Sequence, residues 1–242
     1  MNKRFRIAMW SGPRNISTAL MRSFENRMDT TVIDEPFYAY YLYKTGLNHP
    51  GKKEILASQS TDWNKVKDML VGPIPEEKSI WYQKHMAQHN LDGCDLSWTR
   101  KVTNCFLIRD PVEVIHSYSK RFPINNPLLL GFIQQAELFK IILEQTGRIP
   151  PVLDAKDILM NPRHMLTKLC TTIGIRFSNN MLSWVAGPRR SDGIWAPYWY
   201  KEVEISTGFK PFRKKKIQIS DKQRDLLEKC LPAYKYLFQY KL

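Results

Sequence analysis

Residues 4–18 read RFRIAMWSGPRNIST, and this stretch decides the fold. The run from Arg4 to Trp10 has the length and apolar character of a buried strand, and SGPRN makes a short loop. Ile16-Ser17-Thr18-Ala19-Leu20-Met21 then opens a helix. A strand, a tight loop and a helix N-terminus in succession aim several backbone N–H groups at one spot, which is a ready anion site. Arg14 adds a fixed positive charge, and Ser17 and Thr18 add hydroxyl donors. The expectation is a phosphate-binding loop in a protein that handles a nucleotide.

The loop is not of the Walker type. That motif, G-x-x-x-x-G-K-[ST], uses its lysine on the terminal phosphates and its hydroxyl on Mg²⁺. With Gly12 as the first glycine, Thr18 stands at the lysine position and Ala19 at the metal-binding hydroxyl. A metal-dependent, triphosphate-cleaving kinase would find this loop poor.

Further along, Val102–Ile108 is a second apolar strand that ends in Arg109-Asp110-Pro111. Asp110 suits a helix cap and Pro111 a first turn. The helix that follows, VEVIHSYSKR, carries Ser117 two turns on, so Arg109 and Ser117 can reach one anion beside the first loop.

These two segments carry a resemblance. Pro13-Arg14-Asn15-Ile16-Ser17-Thr18 resembles the 5′-phosphosulfate loop P-[KR]-x-G-[ST]-[ST] of sulfotransferases that use 3′-phosphoadenosine-5′-phosphosulfate (PAPS). IRDPVEVIHSYSKR resembles their 3′-phosphate motif, R-[DN]-P-x-x-x-x-x-S. The resemblance implies that Arg14, Asn15, Ile16, Ser17 and Thr18 hold the 5′ end of PAPS, and that Arg109 and Ser117 hold its 3′-phosphate. One residue departs from the pattern, since the family usually has glycine where this chain has Ile16.

At 242 residues the chain suits a single domain, residues 1–242, with no linker, repeat or low-complexity tract. Strands fit 4–10, 31–34, 79–84, 102–108 and 150–154; helices fit 16–28, 62–71, 111–121, 128–146, 161–173 and 220–230. The alternation predicts an α/β fold with a mostly parallel, P-loop-type central sheet flanked by helices and ligand sites at the carboxyl ends of the strands. Arg14, Glu35, Lys84 and Arg109 all fall at or just after such ends. Cys94, Cys105, Cys170 and Cys230 lack C-x-x-C spacing and read as free thiols of a reducing cytoplasm. No apolar run reaches the length of a membrane span.

The formal net charge is +14, and residues 210–216 hold a dense basic run. Such a balance fits nucleic acid or a polyanionic small molecule. No aromatic RNA-recognition signature accompanies it, which makes RNA the weaker partner. Sulfotransferases close a basic loop over the 3′-phosphate, and the run resembles that element.

Sulfuryl transfer needs a base for the acceptor, neutralisation of the moving SO₃ and stabilisation of the departing phosphate. SO₃ carries less charge than a phosphoryl group, so no metal is expected. Glu35 ends the strand TTVID, expected beside the first loop in a parallel sheet, and precedes Pro36-Phe37-Tyr38, where sulfotransferase subfamilies place a catalytic glutamate. Its neighbour Asp34 is expected to point to the opposite face if the strand continues. Cytosolic sulfotransferases carry K-x-H near residue 84, whereas this chain reads Lys84-His85-Met86-Ala87-Gln88-His89. Lys84 and His85 therefore join Glu35 as catalytic candidates, although His85 is expected to face away from Lys84 if the segment is extended, and His89 needs a turn to return. Two aromatic clusters, within Phe37–Tyr43 and Trp195–Tyr200, are candidates for lining an apolar or aromatic small-molecule acceptor's pocket. A metabolite kinase and a non-catalytic anion or RNA binder stay open as other readings.

Overall fold

The structure, a computed structural model, describes residues 3–214 and 216–242; Lys215, part of the basic run, lies outside them with Met1 and Asn2. Five strands form one parallel sheet: β1 (Phe5–Ser11), β2 (Thr30–Asp34), β3 (Ile80–Met86), β4 (Thr103–Ile108) and β5 (Val152–Asp154). Their order is β2-β3-β1-β4-β5. Register pairs Met9 with Lys84 on one side and Cys105 on the other. A sheet whose crossovers lay helices on both faces needs apolar residues at successive positions, which is why RFRIAMW reads as a continuous run rather than an alternation.

Successive side chains point to opposite faces. Ile7, Met9, Tyr82, Cys105, Leu107 and Leu153 meet α1 (Ser17–Glu25) and α8 (Pro162–Ile173) in one core. Ala8, Trp10, Trp81, Phe106, Ile108 and Val152 meet the other, built on α4 (Trp63–Val71), α6 (Phe132–Thr146) and the end of α11 (Asp221–Phe238). Between these lie α2 (Tyr38–Thr45), α3 (Lys52–Ser58), α5 (Pro111–Ser119), α7 (Ala155–Met160) and two single turns, α9 (Ala196–Trp199) and α10 (Lys201–Glu204).

Several expected boundaries move for identifiable reasons. The helix expected over 128–146 is a 3₁₀ turn, Pro127–Leu130, followed by α6, with Gly131 at φ 72° between them. A Cβ on Gly131 would sit 2.8 Å from Gln88 Oε1 and 3.3 Å from Gly12 Cα, while one on Gly12 would sit 2.5 Å from the Leu130 carbonyl oxygen. The first loop thus packs backbone to backbone against this break. The helix expected to end at 230 continues past Pro232 to Phe238 from a capping box at Ser220 and Gln223. The aromatic run at 38–45 forms α2.

Candidate functional site

The β1–α1 loop turns through two left-handed residues, Arg14 at φ 62° and Ile16 at φ 56°. For a β-branched residue that conformation costs about 1–3 kcal/mol. Ile16 keeps the backbone that glycine takes freely, and its side chain packs against the α1–α8 core. The first turn of α1 has no side-chain cap, so its backbone N–H groups open toward the loop. Asn15 is buried, donates to the Leu107 carbonyl at 3.1 Å and leaves its own Oδ1 without a partner. Gln135 ties the strand ends together by donating to the carbonyls of Trp10 and Leu107, both at 2.9 Å.

Arg109 and Ser117 meet this loop directly. Arg14 Nε donates to Ser117 Oγ at 3.0 Å, and Arg109 Nη1 donates to the Arg14 carbonyl at 2.7 Å. Glu113, one turn along α5, orients Arg109 through Nε at 2.8 Å. Burial, reinforced by the charges of Arg121 and Arg109, holds the Arg14 guanidinium below its ordinary value. A cluster of cations in mutual repulsion favours an anion between them.

Glu35 reaches the same cleft by another route. The sequence places it beside the first loop, but β2 is an edge strand separated from β1 by β3. The strand stops at Asp34, and Glu35 turns to φ 40°. Its N–H bonds the Lys84 carbonyl at 2.9 Å, and its carbonyl accepts from Tyr38 N and Gln59 Nε2. These bonds fix the left-handed turn, and the alternation expected of an extended strand fails. Asp34 and Glu35 therefore converge on the same lysine instead of pointing apart, with Lys84 Nζ 2.8 Å from Asp34 Oδ1 and 2.7 Å from Glu35 Oε1.

Lys84 is buried, and a third acceptor, Tyr200 Oη, lies 2.6 Å from its ammonium. The ammonium has three protons and three acceptors, so none is left to reach into the cleft. Burial opposes its charge, yet the two carboxylates and Tyr200 outweigh that and push its pKa well above the usual value. Burial raises Glu35, Asp34 raises it further, and Lys84 opposes both; the net direction is upward.

The histidines separate. His85 points to the face opposite Lys84, stacks on Trp10 with ring centres 4.3 Å apart and is pushed down to about 3 by burial. It belongs to the core and does not line the cleft, against its place among the catalytic candidates: β3 continues as a strand to Met86, so adjacent side chains alternate. His89 does return, through the single turn at Ala87–His89, and stacks between Tyr38 and Tyr41 at 4.9 and 4.7 Å. Burial holds it neutral, well below its ordinary pKa.

Together these groups enclose a cleft of about 860 Å³. One end is cationic, with Arg14, Arg109, Lys120, Arg121, Lys210 and Arg213. The other has Glu35, Tyr38, His49, His89, Trp195 and Trp199. Ser17, Thr18, Ser117 and Lys84 also line it. Of the two aromatic clusters, Phe37 and Tyr40 go to the core beside Trp63, and Tyr43 and Tyr198 are exposed. Sequence reasoning missed Tyr200 as a partner of Lys84, reading it with the acceptor pocket. It also missed the Arg121 and Glu113 contributions; Arg121 had a signal, standing four residues beyond Ser117 in the helix expected over 111–121, although α5 itself ends at Ser119.

All four cysteines are free, and no helix among the described residues is long and apolar enough to cross a membrane. Two Arabidopsis thaliana proteins, branched-chain-amino-acid aminotransferase-like proteins 1 and 2, are each 38% identical to the chain, over 232 and 235 residues. The match covers 96% of this chain but 41% of each relative, so the chain spans about two fifths of their length. The sulfotransferase domain of the Synechococcus PCC 7002 olefin synthase superposes with a TM-score of 0.56 at 17% identity, over 100% of this chain and 96% of that one. The sulfotransferase from Alicyclobacillus acidocaldarius does so at 0.55 and 12%, over 98% and 95%. Those likenesses establish the fold. The family model of the sulfotransferase domain matches residues 5–239, and the chain belongs to that family.

Proposed function

We propose that this sulfotransferase takes its sulfuryl group from PAPS and passes it to a hydroxyl or amine of a small-molecule acceptor by metal-independent, in-line transfer, and that residues 1–242 act as one sulfotransferase-like unit. The observation that carries the reading is the direct bonding of the two nucleotide motifs, Arg14 to Ser117 and Arg109 to the Arg14 carbonyl, in a cleft that Glu35, held by Lys84, also lines.

The residues present fit a doubly phosphorylated nucleotide. The uncapped first turn of α1, the unpartnered Asn15 Oδ1 and the hydroxyls of Ser17 and Thr18 supply donors and an acceptor at the loop. Arg14 supplies charge for the 5′ end, Arg109 supplies charge and Ser117 a hydroxyl for a 3′-phosphate, and Lys210 and Arg213 extend that charge from the basic run. PAPS brings the sulfuryl group and a 3′,5′-bisphosphate leaving group. Glu35 is the proposed general base: its Oε1 is held by Lys84, the side chain keeps 11% exposure toward the cleft, and it takes the proton of the attacking hydroxyl or amine. Lys84 acts through Glu35 rather than on the donor. The aromatic walls from Tyr38, Trp195 and Trp199 suit an apolar or aromatic acceptor. Nucleic acid has no part in the reading. A cytoplasmic site of action accords with four free thiols, three of them buried.

The test is sulfate or sulfo-product release from [³⁵S]PAPS over a panel of phenols, alcohols and amines. Release above the rate of a Glu35→Gln control supports the reading; none over the panel, with no donor hydrolysis, contradicts it.

A further inference from the structure

Tyr200 comes from the junction of α9 and α10, the segment that runs on into Lys210–Arg213 at the cationic end of the cleft. Its hydroxyl lies within hydrogen-bond distance of three groups: Lys84 Nζ at 2.6 Å, Trp195 Nε1 at 3.0 Å and Asp34 Oδ2 at 2.6 Å. An ammonium and an indole can only donate, so the tyrosine accepts both and its own proton is directed at Asp34. That uses the full capacity of a phenol oxygen. Asp34 accepts three bonds, taking Lys84 on Oδ1 and both Tyr200 and the Gly193 N–H on Oδ2. All of Lys84, Asp34 and Tyr200 are buried.

We propose that Asp34, Lys84 and Tyr200 form a positioning triad for Glu35, in which Asp34 is the permanent counter-ion of Lys84 and Tyr200 fixes how the lysine divides itself between the two carboxylates. This rests on Glu35 being the base. The triad is neutral by itself, and an ionised Glu35 beside it brings the buried site to one net negative charge. Asp34 holds three donors, the Lys84 ammonium, the Tyr200 hydroxyl and the Gly193 N–H, whereas the Glu35 carboxylate holds Lys84, so Glu35 is the less tightly bound of the two carboxylates. Tyr200 moderates the arrangement. It partly neutralises Asp34, and it occupies the third lysine proton so that Lys84 stays on Glu35. Because Tyr200 belongs to the donor-side segment, the alignment of the base depends on that segment being seated. Besides the triad, Tyr38 on α2 faces Glu35, and Arg14, His49 and His89 line the same cleft.

Two substitutions should move the Glu35 carboxyl in opposite directions. Asp34→Asn removes a like charge and leaves a matched Lys84–Glu35 pair, so Glu35 should titrate lower by about one unit or more. Tyr200→Phe removes the donor on Asp34, whose field on Glu35 grows and whose pull draws Lys84 away, so Glu35 should titrate higher. The measurement is a ¹³C NMR titration of protein labelled at glutamate side-chain carboxyls, with Glu35 identified by its loss in Glu35→Gln. Opposite shifts, with adenosine 3′,5′-bisphosphate affinity held within about threefold in both variants, support the triad. A Glu35 titration that moves in neither variant, or in the same direction in both, overturns it. If Asp34→Asn does not fold, Tyr200→Phe alone must raise the titration, and an unmoved Glu35 there is equally contradictory. The titration needs no acceptor, so a Glu35→Gln enzyme that kept full turnover would refute the base assignment while leaving the triad to be judged on its shifts.

Discussion

Arg14 donates to Ser117 across 3.0 Å, joining residues 103 positions apart in the chain. The bond links the loop after β1 to the helix after β4, neighbouring strands of the sheet, and so makes one anion site from two motifs. Ser117 therefore has two tasks: it offers a hydroxyl to the ligand, and it holds the Arg14 guanidinium in place. Ser117→Ala should weaken adenosine 3′,5′-bisphosphate by about tenfold, near the 1.5–3 kcal/mol of a hydrogen bond to a charged group. Isothermal titration measures it, and an unchanged affinity would remove Ser117 from the site.

Glu35→Gln keeps the shape of the side chain and loses the proton acceptor. Turnover should fall by roughly 10²–10⁴ while bisphosphate affinity stays near that of the parent. Burial raises the Glu35 carboxyl, and a base must be ionised to work, so the parent's activity should fall as the pH drops through a value above the ordinary 4.5. His89→Asn should cost less than Glu35→Gln. A histidine variant that abolished turnover while Glu35→Gln did not would reassign the base.

His85 bears on stability rather than catalysis. Its folded-state pKa is pushed down to about 3 from 6.5, so between those values the unfolded chain binds a proton that the fold refuses. The stability it contributes is present above about pH 6.5 and is lost as the pH falls toward 3. At pH 5 the loss relative to pH 7 should be roughly 2 kcal/mol from this residue. Urea unfolding at the two pH values, in the parent and in His85→Gln, should show a smaller pH dependence in the variant. Equal dependence in both would contradict the burial account.

Thr18 and Ala19 stand where a Walker loop has its lysine and its magnesium hydroxyl. Bisphosphate binding should therefore survive EDTA, read as an unchanged shift in melting temperature. Loss of binding on chelation, restored by Mg²⁺, would point to a kinase-like site.

Most of the strand frame was legible because a two-sided parallel sheet writes itself as continuous apolar runs, and all five strands fall within two residues of their expected places. The nucleotide motifs were legible because their residues are contiguous. Strand order was not, since nothing in TTVID distinguishes an edge strand from β1's neighbour. Asp34 stands opposite Lys84 in the β2–β3 register, a pairing hidden along with the strand order, and the convergence of Glu35 on the same lysine was hidden by its left-handed turn, which a glutamate does not advertise. Tyr200 was hidden by distance, as its partner lies 116 residues earlier. The helix α11 ran past Pro232 because a capping box started it firmly and its far end packs on the sheet through Leu237.

The central claim is that this cleft reads the 3′-phosphate of a PAPS-type nucleotide through Arg109. The measurement that tests it most directly is isothermal titration of adenosine 3′,5′-bisphosphate against adenosine 5′-phosphate, in the parent and in Arg109→Ala. The account predicts that the parent prefers the bisphosphate by at least about tenfold, the 1.5–3 kcal/mol of a charge-assisted contact. It also predicts that Arg109→Ala erases most of that preference while adenosine 5′-phosphate is little affected. Equal affinities for the two nucleotides in the parent, or a preference untouched by Arg109→Ala, would contradict it.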